Sequence, residues 1–127
     1  MKPIADRIVA TSSMVQTALA GAKLCEEVGI DVEVVDPRTL WPLDEKTLIE
    51  SVKKTSRCIV MDEGYGRYGV SAELGQVVAE GAFYDLDAPI VRVAADDCHL
   101  PYNSPEEDAI IPLPADVIVA ARALAAR

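Results

Sequence analysis

The stretch CIVMDEGYGRYGVSAELGQVVAEG, residues 58–81, is the clearest guide to the fold. It begins with an apolar run of strand length, passes through a glycine-rich turn, and continues with apolar residues at helical spacing. Further apolar, β-branched runs occur at residues 8–10, 32–35 and 90–93, and longer helical patterns follow them. Repeated units of strand and then helix predict an α/β domain with a mostly parallel sheet covered on both faces.

The first predicted helix begins near Ser12 or Ser13, because either hydroxyl can accept a hydrogen bond from a free backbone N–H group at the helix start. Gly29 is expected to end this helix in a left-handed conformation. Apolar residues at helical spacing define the predicted buried face. They are Val15, Ala18, Leu19, Ala22 and Cys25.

The other helices are predicted from their first residues and their apolar spacing. Asp44 is the expected N-cap of the second helix. Its buried side is predicted to carry Leu48, Ile49 and Val52. A third helix is expected over residues 69–81, and the last one is expected to begin at Pro114. Residues 96–112 are predicted to be irregular.

Length and charge limit the classes of protein to which the chain can belong. Its 127 residues, of which 50% are hydrophobic, suit one domain with its own core, so residues 1–127 are predicted to form a single domain. The net charge of −9 repels nucleic acid and anionic membrane surfaces and favours a basic partner. We therefore expect neither nucleic acid nor membrane as a partner.

The three cysteines, Cys25, Cys58 and Cys98, lie far apart and form no CxxC pair. Their odd number and their spacing suggest neither a disulfide framework nor a zinc site. The first residues show no apolar signal segment, and no run of about 18 apolar residues occurs. These features predict a cytoplasmic protein.

The turn Gly64-Tyr65-Gly66-Arg67-Tyr68-Gly69 matches the GxGxxG pattern of dinucleotide-binding proteins. Asp62 and Glu63 stand directly before it, where their charge would oppose a pyrophosphate. The acid that should bind the ribose is expected about 20 residues further on, and Asp96 and Asp97 come later than that. Plain loop geometry is therefore favoured over a dinucleotide site.

Two other segments have both a chemical and a structural interpretation. The loop Thr11-Ser12-Ser13 could hold a phosphate as flavodoxin-like proteins do, but ordinary helix capping is the favoured interpretation. His99, the only histidine, follows Asp96, Asp97 and Cys98 and so resembles a metal or acid–base cluster. A hydrogen-bonded structural or interface role is favoured for His99.

Three segments, in order, resemble the transketolase C-terminal domain family as found in beta subunits of 2-oxo acid dehydrogenases. Residues 35–44, VDPRTLWPLD, match its D-x-R-T-L-x-P-L-D segment. Residues 62–73, DEGYGRYGVSAE, are similar to its E-E-G followed by G-x-G-A-E. Residues 86–102 resemble its L-D-A-P, R-V and D-x-P-x-P-Y series, with departures at His99 and at Ala94-Ala95, where Thr-Gly is common.

This resemblance implies a three-layer α/β/α sandwich with a sheet of about five strands. The parent enzyme would use thiamine diphosphate and magnesium to decarboxylate pyruvate or a branched-chain 2-oxo acid, or to act on acetoin, and to acylate a lipoyl group. The groups that bind the cofactor belong to other parts of that enzyme, so no catalytic, cofactor-binding or metal residue is expected in this chain. The expected oxidoreductase is a heterotetramer of alpha and beta subunits.

The resemblance also implies a role in assembly. In the family, this domain helps to pair two beta subunits, beside the alpha subunit, and presents a surface to the subunit-binding domain of the dihydrolipoamide acyltransferase core. The acid of L-D-A-P, implicated in that contact, corresponds to Asp87. Glu63, His99 and Tyr102 are further candidates for interface or loop positions. The alternatives are a C-terminal domain of transketolase or deoxyxylulose-phosphate synthase, and a flavodoxin-like or dinucleotide-binding module.

Overall fold

The computed structural model describes residues 5–127 as alternating strands and helices. The strands are β1 (Ala5–Ala10), β2 (Asp31–Val35), β3 (Cys58–Tyr65) and β4 (Val91–Ala95). The helices are α1 (Met14–Glu27), α2 (Glu45–Thr55), α3 (Val70–Ala82), α4 (Ser104–Ile110) and α5 (Pro114–Ala125). A single turn of 3₁₀ helix, Phe83–Asp85, follows α3.

The strands form one parallel sheet in the order β2-β1-β3-β4. This arrangement confirms the predicted α/β class, although the described residues contain four strands and not about five. The segment after β4 was expected to be irregular but contains α4, whose N-cap Asn103 accepts a hydrogen bond from the Glu106 N–H at 3.0 Å. The Asp96 N–H donates to the Ile110 carbonyl at 3.1 Å, so the two ends of this segment are joined next to the end of β4.

The helices cover both faces of the sheet, which gives the three layers predicted. Ile8 and Ala10 of β1 face the layer that contains α1 and α5, whereas Val9 faces the layer that contains α2 and α3. All three side chains are fully buried, because β1 lies inside the sheet and alternate residues point to opposite faces. Two apolar cores, one on each side of the sheet, therefore support the loops at its ends.

Helix α1 packs closely on α5, and this contact decides which of its residues are buried. A Cβ atom at Gly21 would lie 2.5 Å from the Val117 Cβ, so only glycine permits this approach. The buried residues of α1 are Met14, Ala18, Gly21 and Cys25. Leu19, predicted on the buried face, is instead 45% exposed because it lies to one side of this contact. Gly29 is left-handed at φ 78°, as predicted.

Helix α2 begins as its sequence predicts. The Asp44 carboxylate accepts hydrogen bonds from the Thr47 N–H at 3.1 Å and the Thr47 hydroxyl at 2.7 Å. These bonds hold the pKa of Asp44 below its ordinary value. Leu48 and Val52 are buried, while Ile49 is partly buried. The predicted starts of α3 and α5 are also confirmed, at Val70 after the N-cap Gly69 and at Pro114.

Charged side chains lie inside the sheet near the amino end of β1. Asp6 and Arg7 are almost fully buried, and Arg7 forms an ion pair with Glu33 on the neighbouring strand β2. Burial raises the pKa of Asp6, an effect that Arg57, 4.0 Å away, partly opposes. Burial also raises the pKa of Cys58 to about 12, so this thiol stays protonated at neutral pH.

Candidate functional site

The loops that follow the four strands gather at one end of the sheet, because parallel strands all end at the same edge. In open α/β sheets, ligands bind at this carboxyl end, at the point where the strand order reverses. Here that point lies between β1 and β3, where Thr11 follows β1 and Asp62–Glu63 lie in the last part of β3. Any small-molecule site of this fold is therefore expected there.

Two hydrogen bonds join the residues after β1 to the last part of β3 at this point. The Thr11 hydroxyl donates to the Asp62 carboxylate at 2.9 Å, and both side chains are buried. The Ser13 hydroxyl donates to the Glu63 carboxylate. Ser13 is the N-cap of α1, but its side chain makes no capping hydrogen bond, so the prediction of ordinary hydroxyl capping was wrong. The Ser13 backbone is helical, at φ −63° and ψ −23°, whereas a capping residue usually has an extended backbone.

A cavity of about 460 Å³ opens beside these bonds. Its lining includes the acids Asp36, Asp62 and Glu63, together with Arg38. The Arg38 guanidinium contacts the Asp36 carboxylate at 3.3 Å, so its charge is already balanced. A cavity with three carboxylates at the start of α1 disfavours phosphate, because like charges repel at short distance. The geometry thus opposes the flavodoxin-like interpretation.

The glycine-rich turn has a local structural role. A Cβ atom at Gly69 would lie 2.1 Å from the Tyr65 carbonyl oxygen, so the turn closes only with glycine at this position. Arg92 of β4 donates a hydrogen bond to the Gly66 carbonyl and ties the turn to the neighbouring strand. These contacts agree with the predicted loop geometry and offer no feature that favours a dinucleotide.

His99 lies in the loop after β4, on the rim of an open cavity of about 480 Å³. The loop is held to β3 by the Tyr65 hydroxyl, which donates to the Cys98 carbonyl at 2.7 Å, and by an Arg67–Asp97 ion pair at 3.2 Å. The His99 side chain is exposed, and within residues 5–127 it has no hydrogen-bond partner. No group of three or more potential metal-ligating side chains occurs in that range.

Asp87 lies at the opposite, amino end of the sheet, between the 3₁₀ turn and β4. Its N–H donates to the Ser56 carbonyl at 2.8 Å, which fixes its backbone against the end of α2, while its side chain is exposed. Asp85 lies nearby and contacts Lys53 at 3.7 Å. Phe83 and Tyr84 are also exposed and pack edge to face, with ring centroids 5.2 Å apart. Phe83, Tyr84, Asp85 and Asp87 are called the amino-end surface below.

The remaining sequence candidates lie on the other end of the molecule. Glu63 lies in the last part of β3 and Tyr102 in the loop after β4, both at the carboxyl end of the sheet like His99, and Tyr102 is fully exposed. Sequence reasoning missed the exposed aromatic residues Trp41, Tyr68 and Tyr84. Their only signal in the sequence is that each lies outside the apolar repeats that predict strands and helices.

The model of the transketolase C-terminal domain matches residues 7–117. The chain belongs to this family. A solved structure, described as a split-gene transketolase in the form of an inactive beta4 tetramer, has the same fold with a TM-score of 0.75. It is 28% identical in sequence, and the match covers 97% of this chain and 39% of that one. The comparison confirms the predicted three-layer architecture.

Several relatives are beta subunits of 2-oxo acid dehydrogenases and an acetoin oxidoreductase. The pyruvate dehydrogenase E1 component subunit beta of Rickettsia conorii is 44% identical over 91% of this chain and 35% of its own length. The 2-oxoisovalerate dehydrogenase subunit beta of Pseudomonas aeruginosa is 43% identical over 87% of this chain and 30% of its length. The acetoin:2,6-dichlorophenolindophenol oxidoreductase subunit beta of Bacillus subtilis is 38% identical over 87% of this chain and 32% of its own length. The chain thus spans about a third of these relatives.

Among residues 5–127, no helix combines the length and the apolar character that crossing a bilayer requires.

Proposed function

We propose that residues 1–127 form the C-terminal assembly domain of the beta subunit of a cytoplasmic 2-oxo acid dehydrogenase. The parent enzyme would decarboxylate a 2-oxo acid oxidatively and transfer the acyl group to a lipoyl group. In this proposal the chain pairs with a second beta subunit, contacts the alpha subunit, and docks on the acyltransferase core, but has no activity alone. Its similarity to three such beta subunits, over 87–91% of the chain, carries the proposal.

The parent enzyme would need thiamine diphosphate with magnesium. The described residues do not fit that cofactor: Glu63 and Asp62 hold the hydroxyl groups at the start of α1, where a pyrophosphate would need free donors. A pyrophosphate would meet carboxylates at this point. We therefore place the cofactor in other domains of the parent enzyme and give this chain a role in positioning them.

The amino-end surface suits the subunit-binding domain of the acyltransferase core. Asp87 projects from a backbone fixed by its bond to Ser56, beside the exposed Phe83–Tyr84 pair. Lys53, paired with Asp85, is the only cation within salt-bridge distance of this surface in the described part of the chain. Exposed aromatic residues beside the unpaired carboxylate of Asp87 suit a basic partner, since complementary charge orients the encounter and aromatic burial provides affinity.

Replacement of Asp87 tests this contact. If its carboxylate is desolvated against a cation of the subunit-binding domain, Asp87→Ala should weaken binding by about 2–5 kcal/mol. Isothermal titration calorimetry of the chain with that domain measures the loss. Asp108→Ala is the matched control, because Asp108 is equally exposed but lies on α4, and it should leave binding unchanged. Equal binding by the wild type and Asp87→Ala would remove Asp87 from the contact.

A second candidate is the C-terminal domain of transketolase or deoxyxylulose-phosphate synthase. The fold shared with the split-gene transketolase at a TM-score of 0.75 favours it. Such a domain would have no reason to bind the acyltransferase core. Calorimetry that shows no binding of the wild-type chain to any subunit-binding domain offered would therefore favour this second candidate. Thiamine-dependent turnover by the 127-residue chain alone would contradict both candidates.

A further inference from the structure

Two opposite charges lie inside the protein at the amino end of the sheet. Asp6 of β1 is fully buried, and its Oδ1 lies 4.0 Å from the Nη1 of Arg57, whose side chain is 15% exposed. Neither carboxylate oxygen of Asp6 accepts a hydrogen bond from residues 5–127, and the Arg57 Nη1 donates none to them. The two groups are therefore held together by their charges and not by a hydrogen bond.

The charge on Asp6 opposes folding. Burial outweighs the attraction of Arg57 and raises the pKa of Asp6, so the folded chain disfavours the ionised carboxyl group. Arg7, the next residue on β1, is also buried, but its charge is paired with Glu33 on β2. A buried pair that does not stabilise the fold is a candidate for a device that fixes one arrangement of the chain.

Arg57 belongs to the short connection between α2 and β3, residues 55–57, which is called the α2–β3 corner below. Ser56 ends α2 in a left-handed conformation at φ 63°. The Arg57 carbonyl accepts hydrogen bonds from the Arg7 N–H and from the Thr55 hydroxyl, each at 3.1 Å. Arg57 is therefore attached to β1 twice, through its carbonyl group and through the charge of its side chain.

The α2–β3 corner also fixes the backbone of Asp87. The Ser56 carbonyl, one residue before Arg57, accepts a hydrogen bond from the Asp87 N–H at 2.8 Å. Asp85 is attached close by, since its carboxylate lies 3.7 Å from the ammonium group of Lys53 in the last turn of α2. The amino-end surface thus rests on the end of α2, and a movement of the corner would move Asp87.

We propose that Asp6 and Arg57 are positioning residues for the docking contact of Asp87. The proposal rests on the docking role proposed above and adds two interior residues that act through the backbone of Ser56. The ionised carboxylate of Asp6 keeps Arg57 inside and the α2–β3 corner in place. Without that charge, the long Arg57 side chain moves its guanidinium toward solvent, and the Ser56 carbonyl no longer holds Asp87 in one position.

Amide hydrogen exchange of the 127-residue chain at pH 7 tests the proposal without any partner. Asp6→Asn removes the charge, and urea denaturation should find it no less stable than the wild type, because burial opposes that charge. The Asp87 N–H should nevertheless exchange about three- to tenfold faster, the size of a moderate coupling within one network. The Asp96 N–H, bonded to the Ile110 carbonyl at the other end of the sheet, should keep its rate. A merely structural role of Asp6 predicts no faster exchange in a chain of equal stability.

Calorimetry with the subunit-binding domain adds a double-mutant cycle. Asp6→Asn should raise the dissociation constant by a similar factor. The double variant Asp6→Asn/Asp87→Ala should bind no more weakly than Asp87→Ala alone, because Asp6 acts through Asp87. The matched control is Thr11→Val, which removes a buried hydrogen bond to Asp62 at the carboxyl end of the sheet. It should change neither the exchange of the Asp87 N–H nor docking.

The outcomes separate this proposal from the docking role on which it rests. Unchanged exchange of the Asp87 N–H in Asp6→Asn would overturn the positioning role, even where Asp87→Ala weakens docking and the docking role stands. A double variant that binds more weakly than Asp87→Ala would also overturn it, since Asp6 would then act by another route. A wild-type chain that binds no subunit-binding domain would overturn both proposals, whatever the exchange rates are.

Discussion

The amino and carboxyl ends of the sheet both carry exposed aromatic side chains, but the charges beside them differ. At the amino end, Phe83 and Tyr84 lie beside Asp85 and Asp87, with Lys53 as the one nearby cation. At the carboxyl end, the aromatic residues lie among carboxylates and two exposed arginines. Asp87 has no cationic partner among the described residues and can meet a basic partner, whereas both arginines at the carboxyl end are already paired with acids. The two ends therefore differ in whether an exposed acid, Asp87, is left without a cation.

The two ends also differ in how their backbones are fixed. The amino-end surface follows a regular helix and is attached to α2 by the hydrogen bond between Asp87 and Ser56. The exposed residues Trp41, Tyr68 and Tyr102, called the carboxyl-end face, lie on loops with a tight turn closed at Gly69 and left-handed residues at Arg38 and Tyr68. Small backbone changes should therefore disturb the carboxyl end more than the amino end.

The largest effect is expected from Gly69→Ala. The added Cβ would lie 2.1 Å from the Tyr65 carbonyl oxygen, so the turn must move. We expect a loss of about 1–3 kcal/mol in the free energy of unfolding, measured by urea denaturation. Binding to the subunit-binding domain should be retained by the folded fraction, because Asp87 lies at the other end of the sheet.

Gly66→Ala is the control for this change, because its added Cβ would meet only the Ala94 Cβ at 3.6 Å, an ordinary contact. It should leave stability close to the wild type. If the two alanine variants behave alike, the tight closure at Gly69 has no special importance for the carboxyl-end face.

A smaller effect of opposite sign is expected where left-handed residues are replaced by glycine. Ser56 at the end of α2 and Tyr68 in the turn have φ values of 63° and 55°. Glycine relieves this strain but loses more entropy on folding, so each variant should gain on the order of 1 kcal/mol or less in stability. Urea denaturation measures both changes. A loss of stability in either variant would mean that the replaced side chain contributes more than the strain costs.

Features that depend on neighbouring residues were predictable from the sequence. The Asp44 cap, the start of α5 at Pro114 and the left-handed Gly29 each follow from local backbone chemistry. The four strands were found because β-branched runs suit a buried parallel sheet. The family motifs then indicated Asp87, which no local pattern distinguishes from an ordinary surface acid.

Features that depend on distant contacts were not predictable in this way. Ser13 has a helical backbone and does not cap α1, and its hydroxyl donates to Glu63, fifty positions away in the sequence. Leu19 is exposed, while Gly21, which apolar spacing does not indicate, lies on the face of α1 that packs on α5. Arg7 is buried because β1 lies inside the sheet, a position that follows from the strand order and not from the run itself. The exposed Trp41 likewise depends on which loop the fold leaves uncovered.

The smallest expected effects are opposite pH dependences of stability at the two ends. Hydrogen bonds from Thr47 lower the pKa of Asp44 at the carboxyl end, whereas burial raises the pKa of Asp6 at the amino end. The stabilisation from Asp44 is present above the unfolded pKa of about 3.8 and is lost as pH falls through the folded pKa below it. For Asp6, the folded state binds the proton more tightly, so stability falls as pH rises from about 3.8 through the raised folded pKa.

The variants Asp6→Asn and Asp44→Asn each replace a carboxyl group that titrates with an amide that does not. The side chain keeps nearly the same shape. Urea denaturation between pH 3 and pH 7 should show that Asp6→Asn gains stability relative to the wild type as pH rises, because the buried charge is gone. Asp44→Asn should lose stability relative to the wild type over the same change, although asparagine remains a good N-cap. Parallel pH profiles for the wild type and Asp6→Asn would mean that Asp6 titrates alike in the folded and unfolded chain. The amino end would then hold no buried charge that opposes folding, and the contrast between the two ends would rest on their surfaces alone.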